Sequence, residues 1–258
     1  MSNGTFTPAP GSAPFPRQVL LQARMETLLL LRNGEQLLLA LVIPVLVLFA
    51  GTIAIDRQDI SLTHRAVDTL TPGVLALALM STSFTSLAIA TGFERRYGVL
   101  KRLGASPLPR HGLLLGKVGS LLLVQLLQVS VVSVVALLMG WSPELTARGV
   151  LGFVTVAVLG TTAFAALGLF VAGWLRAEAT LAVANLIYIL LAAGGAVVLP
   201  ASSYGRFAGF VELLPSGALG GGMREALLSG TFPLEQSLVL VAWAAIGGVL
   251  TVRTFKWE

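Results

Sequence analysis

One stretch of the chain, 94–110, concentrates the charged side chains that could recognise a partner. Its sequence is Glu-Arg-Arg-Tyr-Gly-Val-Leu-Lys-Arg-Leu-Gly-Ala-Ser-Pro-Leu-Pro-Arg, and apolar runs flank it on both sides. A helix from Glu94 to Leu103 would align a polar stripe with Gly98 in its middle, made of Glu94, Arg95, Lys101 and Arg102. Glycine inside a helix costs about 1 kcal/mol relative to alanine, so its presence favours the close approach of a partner surface. The alternative is an ordinary loop that is basic because it lies on the cytoplasmic side of a membrane.

Catalytic and metal-binding chemistry has little support in the sequence. There is no cysteine, and the two histidines, His64 and His111, are too far apart to indicate a metal cluster. The nearest match to a phosphate-binding loop ends in Gly116-Lys117-Val118 and lacks both the first glycine and the hydroxyl residue. The sequence therefore predicts no catalytic site, no metal and no cofactor in this chain.

The composition is that of a membrane protein. Of 258 residues, 55% are hydrophobic and 11% charged, with a mean hydropathy of +0.87, whereas a soluble domain has about 25% charged residues. We predict an all-α membrane protein with six transmembrane helices, at 37–55, 73–93, 118–139, 149–175, 179–199 and 237–252. No aspartate or glutamate lies inside these spans, which disfavours the intramembrane ion relay of a secondary transporter.

The segments outside the spans indicate the orientation of the chain. Residues 1–16 have the composition of a disordered cytosolic tail, and 17–34 is typical of an amphipathic interface helix, the alternative being a frayed extension of the first span. With the N-terminus inside, 12 of the 17 Lys and Arg residues are cytosolic, so both termini are predicted there. The loop 94–117 is then cytosolic, and the semi-apolar loop 200–236 is predicted to re-enter the membrane from outside as short helices. The net charge of +5 thus reflects membrane orientation and does not indicate nucleic-acid binding.

Neutral polar residues occur within the predicted spans. Some share a helical face and could line a path for an amphiphilic substrate, namely Ser81, Thr85, Gln125, Gln128, Asn185 and Tyr188. The alternative is that such side chains hydrogen-bond between packed helices, for about 0.6 kcal/mol each. For any single residue we favour this packing role.

The charged stretch also resembles a known family. The segment 93–103, Phe-Glu-Arg-Arg-Tyr-Gly-Val-Leu-Lys-Arg-Leu, with Ala-Ser-Pro-Leu-Pro-Arg at 105–110, is similar to the signature loop of type-2 ABC export permeases, most of all the daunorubicin-resistance type. Other segments fit the same family, namely Leu31-Arg32-Asn33 before a span with Pro44, the segments 214–215 and 224–227, and the ending 253–258. The sequence departs from the family pattern at Arg96, where an acid is frequent, and at Val99, where Thr is common.

The resemblance implies a permease subunit of a bacterial ATP-driven exporter in the plasma membrane. It implies two permease subunits, alike or different, above two ATP-binding subunits that hold ATP and magnesium. The cargo would be a drug-like or lipid-like amphiphile. The segment meeting the ATP-binding subunit would include Glu94, Arg95, Arg96, Gly98, Lys101 and Arg102. The rival interpretations are an ion-coupled secondary transporter and a membrane module that anchors a partner.

Overall fold

A computed structural model describes residues 13–32, 34–57, 64–99 and 110–254, and throughout these ranges its regular structure is helical. The longer helices are α1 (Phe15–Arg32), α2 (Gly34–Arg57), α3 (Ala66–Met80), α4 (Leu87–Arg96), α5 (Arg110–Leu138), α6 (Ala147–Trp174), α7 (Ala177–Gly194), α9 (Pro215–Leu228) and α10 (Leu234–Thr254). A π-helical turn, Ser81–Ser86, joins α3 to α4, and a 3-10 helix, Ala201–Phe207, precedes the short α8, Ala208–Glu212.

Six helical stretches are long and apolar enough to cross a membrane, which confirms the predicted all-α fold with six spans. They are Ala40–Arg57, Ala66–Arg96, Leu115–Leu138, Ala147–Trp174, Ala177–Gly194 and Leu234–Thr254. The interfacial position of α1 and the cytosolic position of the termini remain predictions. The predicted tail falls almost wholly outside the described residues.

The helix of the second span starts earlier than predicted, at Ala66 instead of 73. Its first turns are buried, and Arg65 and Asp68 fasten them to the turn between α5 and α6. Asp68 accepts a 3.0 Å hydrogen bond from the Ser142 backbone N–H, and Arg65 Nη2 donates to Ser142 Oγ at 3.0 Å. These contacts order residues that hydropathy alone assigns to an outer loop.

The stretch Ala66–Arg96 is the central helix of the fold. In its spanning window 78% of the residues are buried, against at most 39% in the other five spans. It consists of α3, the π-helical turn and α4, and its surroundings include α2, α5, α6, α7 and α9. A displacement of this helix would therefore disturb most of the packed core.

Helix α6 lies directly against the backbone of the π-helical turn. A Cβ atom added to Gly168 would lie 2.8 Å from the carbonyl oxygen of Phe84. The Phe84 ring meets Phe164 edge-on, with 6.2 Å between ring centroids. Glycine at 168 thus permits a backbone approach that any side chain would prevent.

Helix α9 packs along one half of α6, with Gly220 against the non-helical chain after α7. Leu219 lies beside Gly160, and the carbonyl oxygen of Ala226 lies beside Gly149. Gly149 and Gly160 are eleven residues apart, which is about 16 Å along a helix. The segment between α7 and α10 therefore returns into the bundle beside α6 and does not stand away from it.

We expect Gly168→Ala to destabilise the protein by about 1–3 kcal/mol, because the new methyl group must push the Phe84 carbonyl away. The measurement is the thermal unfolding midpoint of the purified protein. Gly248→Ala in α10 is the matched control, since an added Cβ meets nothing within 4 Å, and it should leave the midpoint unchanged or raise it. Equal effects of the two substitutions would contradict the close contact.

Candidate functional site

A buried ion cluster joins the end of the central helix to two other helices. Lys117 Nζ of α5 lies 2.7 Å from Glu94 Oε1 of α4 and 3.4 Å from Glu26 Oε1 of α1. The lysine side chain is only 9% exposed, and those of Glu26 and Glu94 are 14% and 25% exposed. Removing a charge from water costs several kcal/mol, so each member of this cluster depends on the others.

Close helix packing brings α1 to this cluster. A Cβ atom on Gly116 would lie 2.5 Å from Gln22 Cγ, and one on Gly119 would lie 3.1 Å from Ala23 Cβ. The same Gln22 donates a 2.8 Å hydrogen bond from Nε2 to Glu26 Oε1, which helps to orient the carboxylate. Small residues at the start of α5 therefore place α1 where Glu26 can reach Lys117.

The next residue, Arg95, binds the end of α6. Its Nη1 donates to the carbonyl oxygen of Gly173 at 2.6 Å, and its Nη2 donates to that of Leu175 at 2.5 Å. Carbonyls at a helix C-terminus lack intrahelical partners, and a cation there also interacts favourably with the helix dipole. The guanidinium of Arg95 thus ties the end of α4 to the end of α6.

Arg96 points to α7, where it forms an ion pair with Glu178. Both side chains are about half exposed, at 49% and 61%, so this pair contributes little to stability. A groove of about 390 Å³ runs beside it between the ends of α4 and α7. The groove is predominantly basic, because Arg95, Arg96 and the exposed Arg176 line it together with Glu178. Within the described ranges Arg176 has no carboxylate partner.

Gly98 lies just beyond the end of α4 and not inside a helix. Helix α4 ends at Arg96, and Gly98 adopts a left-handed conformation with φ +67° as its N–H donates to the Arg95 carbonyl at 3.1 Å. The prediction of one helix through Gly98 is therefore wrong: the glycine terminates the helix and is required for its backbone conformation. Among the described residues, a Cβ atom at Gly98 would meet nothing within 4 Å. Lys101 and Arg102 lie outside the described residues.

Two of the predicted path residues are used in packing between helices. Gln128 accepts a 2.7 Å hydrogen bond from Thr82 Oγ1 and donates to the Ala40 carbonyl at 3.0 Å. Gln125 accepts from Thr161 Oγ1 at 2.9 Å and donates to the Leu79 carbonyl at 3.3 Å. Both glutamines are buried, and these contacts favour the helix-packing alternative for them.

The other four predicted path residues lie along α7 and the π-helical turn. Tyr188 lies close to the Ser81 side chain. Thr85 Oγ1 is buried without a hydrogen-bond partner, and Asn185 is partly exposed. In the described part of the chain, the hydrogen bonds of Gln125 and Gln128 do not reach Ser81 or Tyr188.

The sequence placed Arg224 in the predicted outer loop, within a segment that fits the family, but did not indicate its structural role. It lies in α9, is 8% exposed, and donates four hydrogen bonds to the carbonyls of the non-helical chain after α7, at Ala196, Val197, Val198 and Leu199. Burial lowers the pKa of Arg224 to about 10, so the guanidinium stays charged at neutral pH. Its four bonds hold α9 to the end of α7.

We expect Lys117→Met to destabilise the protein by about 3 kcal/mol, because two carboxylates are left close together without a cation. Adding Glu94→Gln should restore part of that loss by removing one of the charges. The measurement is a double-mutant cycle on the thermal unfolding midpoint. Strictly additive effects of the two substitutions would show that the ion pair does not couple them.

At Gly98 we expect the backbone conformation to decide which substitutions are tolerated. Gly98→Val places a β-branched residue at φ +67° and should weaken the end of α4. Gly98→Asn should be much milder, since asparagine adopts this conformation more readily. Amide hydrogen exchange at Tyr97 and Gly98 would report the difference. Equal protection in both variants would contradict a conformational requirement.

Comparison with protein families identifies the chain. The family model described as ABC-2 type transporter matches residues 15–228, which include α1, the first five spans and the segment through α9. A search of curated proteins found no match. The ion cluster, the Arg95 contact and the basic groove all lie within the matched range. This chain belongs to the ABC-2 type transporter family and is a multi-pass membrane permease component.

Proposed function

We propose that this permease is the membrane subunit of a bacterial ATP-driven exporter, and that its ATP-binding subunit docks at the end of α4. Membership of the ABC-2 family supports association with an ATP-binding subunit. The observation that carries the docking site is the set of contacts around Glu94, Arg95 and Arg96. These three consecutive residues bond to α5, α6 and α7, and Lys117 of α5 in turn pairs with Glu26 of α1, so a force applied at this point reaches four other helices.

The proposed orientation places this end of the bundle in the cytosol. This orientation is based on the distribution of Lys and Arg. With the N-terminus inside, most of these residues lie in the inner segments. In that orientation the segment from the 3-10 helix to α9 enters the outer half of the bundle as a re-entrant element. Arg224 supports this interpretation, because backbone carbonyls away from water need protein donors.

The proposed mechanism transmits motion along the central helix. Closure of two ATP-binding subunits would displace the end of α4, and the ion cluster would carry α1 and α5 with it. The π-helical turn Ser81–Ser86 is a place where the helix can change its winding, and such turns are frequent at functional sites. The result is a hinge-type change between two packings of the spans. ATP and magnesium would bind the partner subunit, and two permease subunits would form the pore.

The cargo proposed for the exporter is a drug-like or lipid-like amphiphile. The buried polar side chains in the middle of the described spans are neutral, which suits an amphiphile better than a free ion. The rival, an ion-coupled transporter, would need a carboxylate at mid-span. The acidic residues in the described spans, such as Asp68 and Glu94, lie near the helix ends.

The docking site is tested by charge reversal in the groove. We expect Arg176→Glu to reduce co-purification of the ATP-binding subunit with the tagged permease about tenfold, because an acidic partner surface would meet a like charge. Arg148→Glu is the matched control. Arg148 is also exposed, but it lies in the first turn of α6, at the opposite end of that helix from the groove. Equal loss in the two variants would contradict docking at the groove, and absence of any ATP-binding subunit with the wild-type chain would contradict the proposed function.

A further inference from the structure

A second cavity, of about 590 Å³, lies at the opposite end of the bundle from the ion cluster. The 3-10 helix, α8, α9 and the first turns of α10 enclose it. Trp243 Nε1 of α10 donates a 2.8 Å hydrogen bond to the Leu213 carbonyl, which holds the end of α8 beside α10. The volume falls in the range of about 300–1,000 Å³ that is usual for small-molecule sites.

The polar side chains that line this cavity are mainly hydrogen-bond acceptors. Among the described lining residues, none is a cation that is free to bind a ligand. Glu212 and Glu235 are exposed, and neither has an ion pair within the described part of the chain. Gln236 Oε1 is buried and accepts no hydrogen bond. Arg224 also borders the cavity, but both of its terminal nitrogens donate to carbonyls of the chain after α7. A ligand that brings N–H donors and a positive charge would complement these acceptors.

Two glycines keep the cavity open without being required by packing. A Cβ atom on Gly209 would meet nothing within 4 Å, and one on Gly221 would meet only Gln236 Cγ, at 3.7 Å. Gly217, by contrast, lies directly against the Val211 carbonyl. A helical glycine costs about 1 kcal/mol relative to alanine, and contact with the protein does not explain that cost at Gly209 or Gly221. The absent side chains leave space in the cavity.

We propose that this cavity binds the primary ammonium group of an amphiphile. The carboxylates of Glu212 and Glu235 accept its N–H donors, and Leu213 and Val239 contact its apolar part. The inference rests on the proposed function, for which it specifies the substrate class and a site on the outer side. An ethanolamine lipid headgroup and a soluble amine share this chemistry, so both are included in the test.

The test is binding of dansylcadaverine, a fluorescent primary amine, to the purified permease in phosphatidylcholine–phosphatidylglycerol nanodiscs. N-hexyl dansylamide is its neutral counterpart of similar size. We expect saturable binding of the amine and binding at least about tenfold weaker for the neutral analogue, since a charge-assisted hydrogen bond is lost. Equal affinities for the two probes would overturn the proposal.

Four variants locate the site. Glu212→Gln with Glu235→Gln should weaken amine binding at least about tenfold, and Gly209→Leu should abolish it by filling the cavity. The controls are Glu144→Gln, an exposed carboxylate outside the cavity lining, and Gly248→Leu, a glycine with open space elsewhere on α10. Unchanged binding in both cavity variants would overturn the proposal, as would equal loss in the controls.

Added phosphatidylethanolamine distinguishes the two ligand sources. Competition with dansylcadaverine would assign the cavity to a lipid headgroup, and absence of competition would assign it to a soluble amine. Binding is measured without ATP or an ATP-binding subunit. A negative result here therefore leaves the co-purification test of the proposed function unaffected, and failure of that test would leave amine binding measurable.

Discussion

The burial of the Lys117 ammonium group between Glu26 and Glu94 is the constraint on which the architecture at this end of the bundle depends. Each ion loses several kcal/mol of hydration, and only the proximity of its partners compensates for that loss. Helices α1, α4 and α5 consequently cannot separate without leaving an unpaired charge in a nearly water-free site. Arg95 extends the same constraint to α6, because its two hydrogen bonds satisfy carbonyls at the end of that helix. Four helices therefore meet at two adjacent residues of α4.

The middle and the opposite end of the bundle are held by other means. Along the centre, Gly168 allows α6 to touch the backbone of the π-helical turn, and Gln125 and Gln128 bridge neighbouring helices. At the far end, Arg224 binds carbonyls that no helix satisfies. Strong polar contacts thus lie at the two ends, with close apolar and glycine packing between them. Such an arrangement suits a bundle in which the ends move as units and the central helix changes its winding.

The sequence predicted the six spans because hydropathy over about 20 residues is a direct consequence of membrane thickness. It did not predict the early start of α3 or the π-helical turn, since both arise from contacts with segments distant in the chain. Glu26 and Lys117 were visible as charges, but their pairing requires knowing that α1 packs on α5. Gly98 was placed inside a helix because a glycine at a helix end and a glycine at a helix contact look alike in sequence; its contact with a partner stays a prediction. The family resemblance rested largely on the same charged stretch; membership of the ABC-2 family was confirmed, and the daunorubicin-resistance subtype stays a prediction.

The proposed mechanism requires that the end of α4 carry the helices packed against it, and Gly92 of α4 packs against Thr180 of α7. The chain has no cysteine, so Gly92→Cys with Thr180→Cys introduces a single disulfide between these helices. The Cβ position of residue 92 lies 3.4 Å from that of Thr180, close to the spacing of a disulfide. The most direct measurement is ATP hydrolysis by the reconstituted complex with this pair oxidised and reduced. The account predicts equal rates in the two states. Inhibition on oxidation that is reversed on reduction would contradict it.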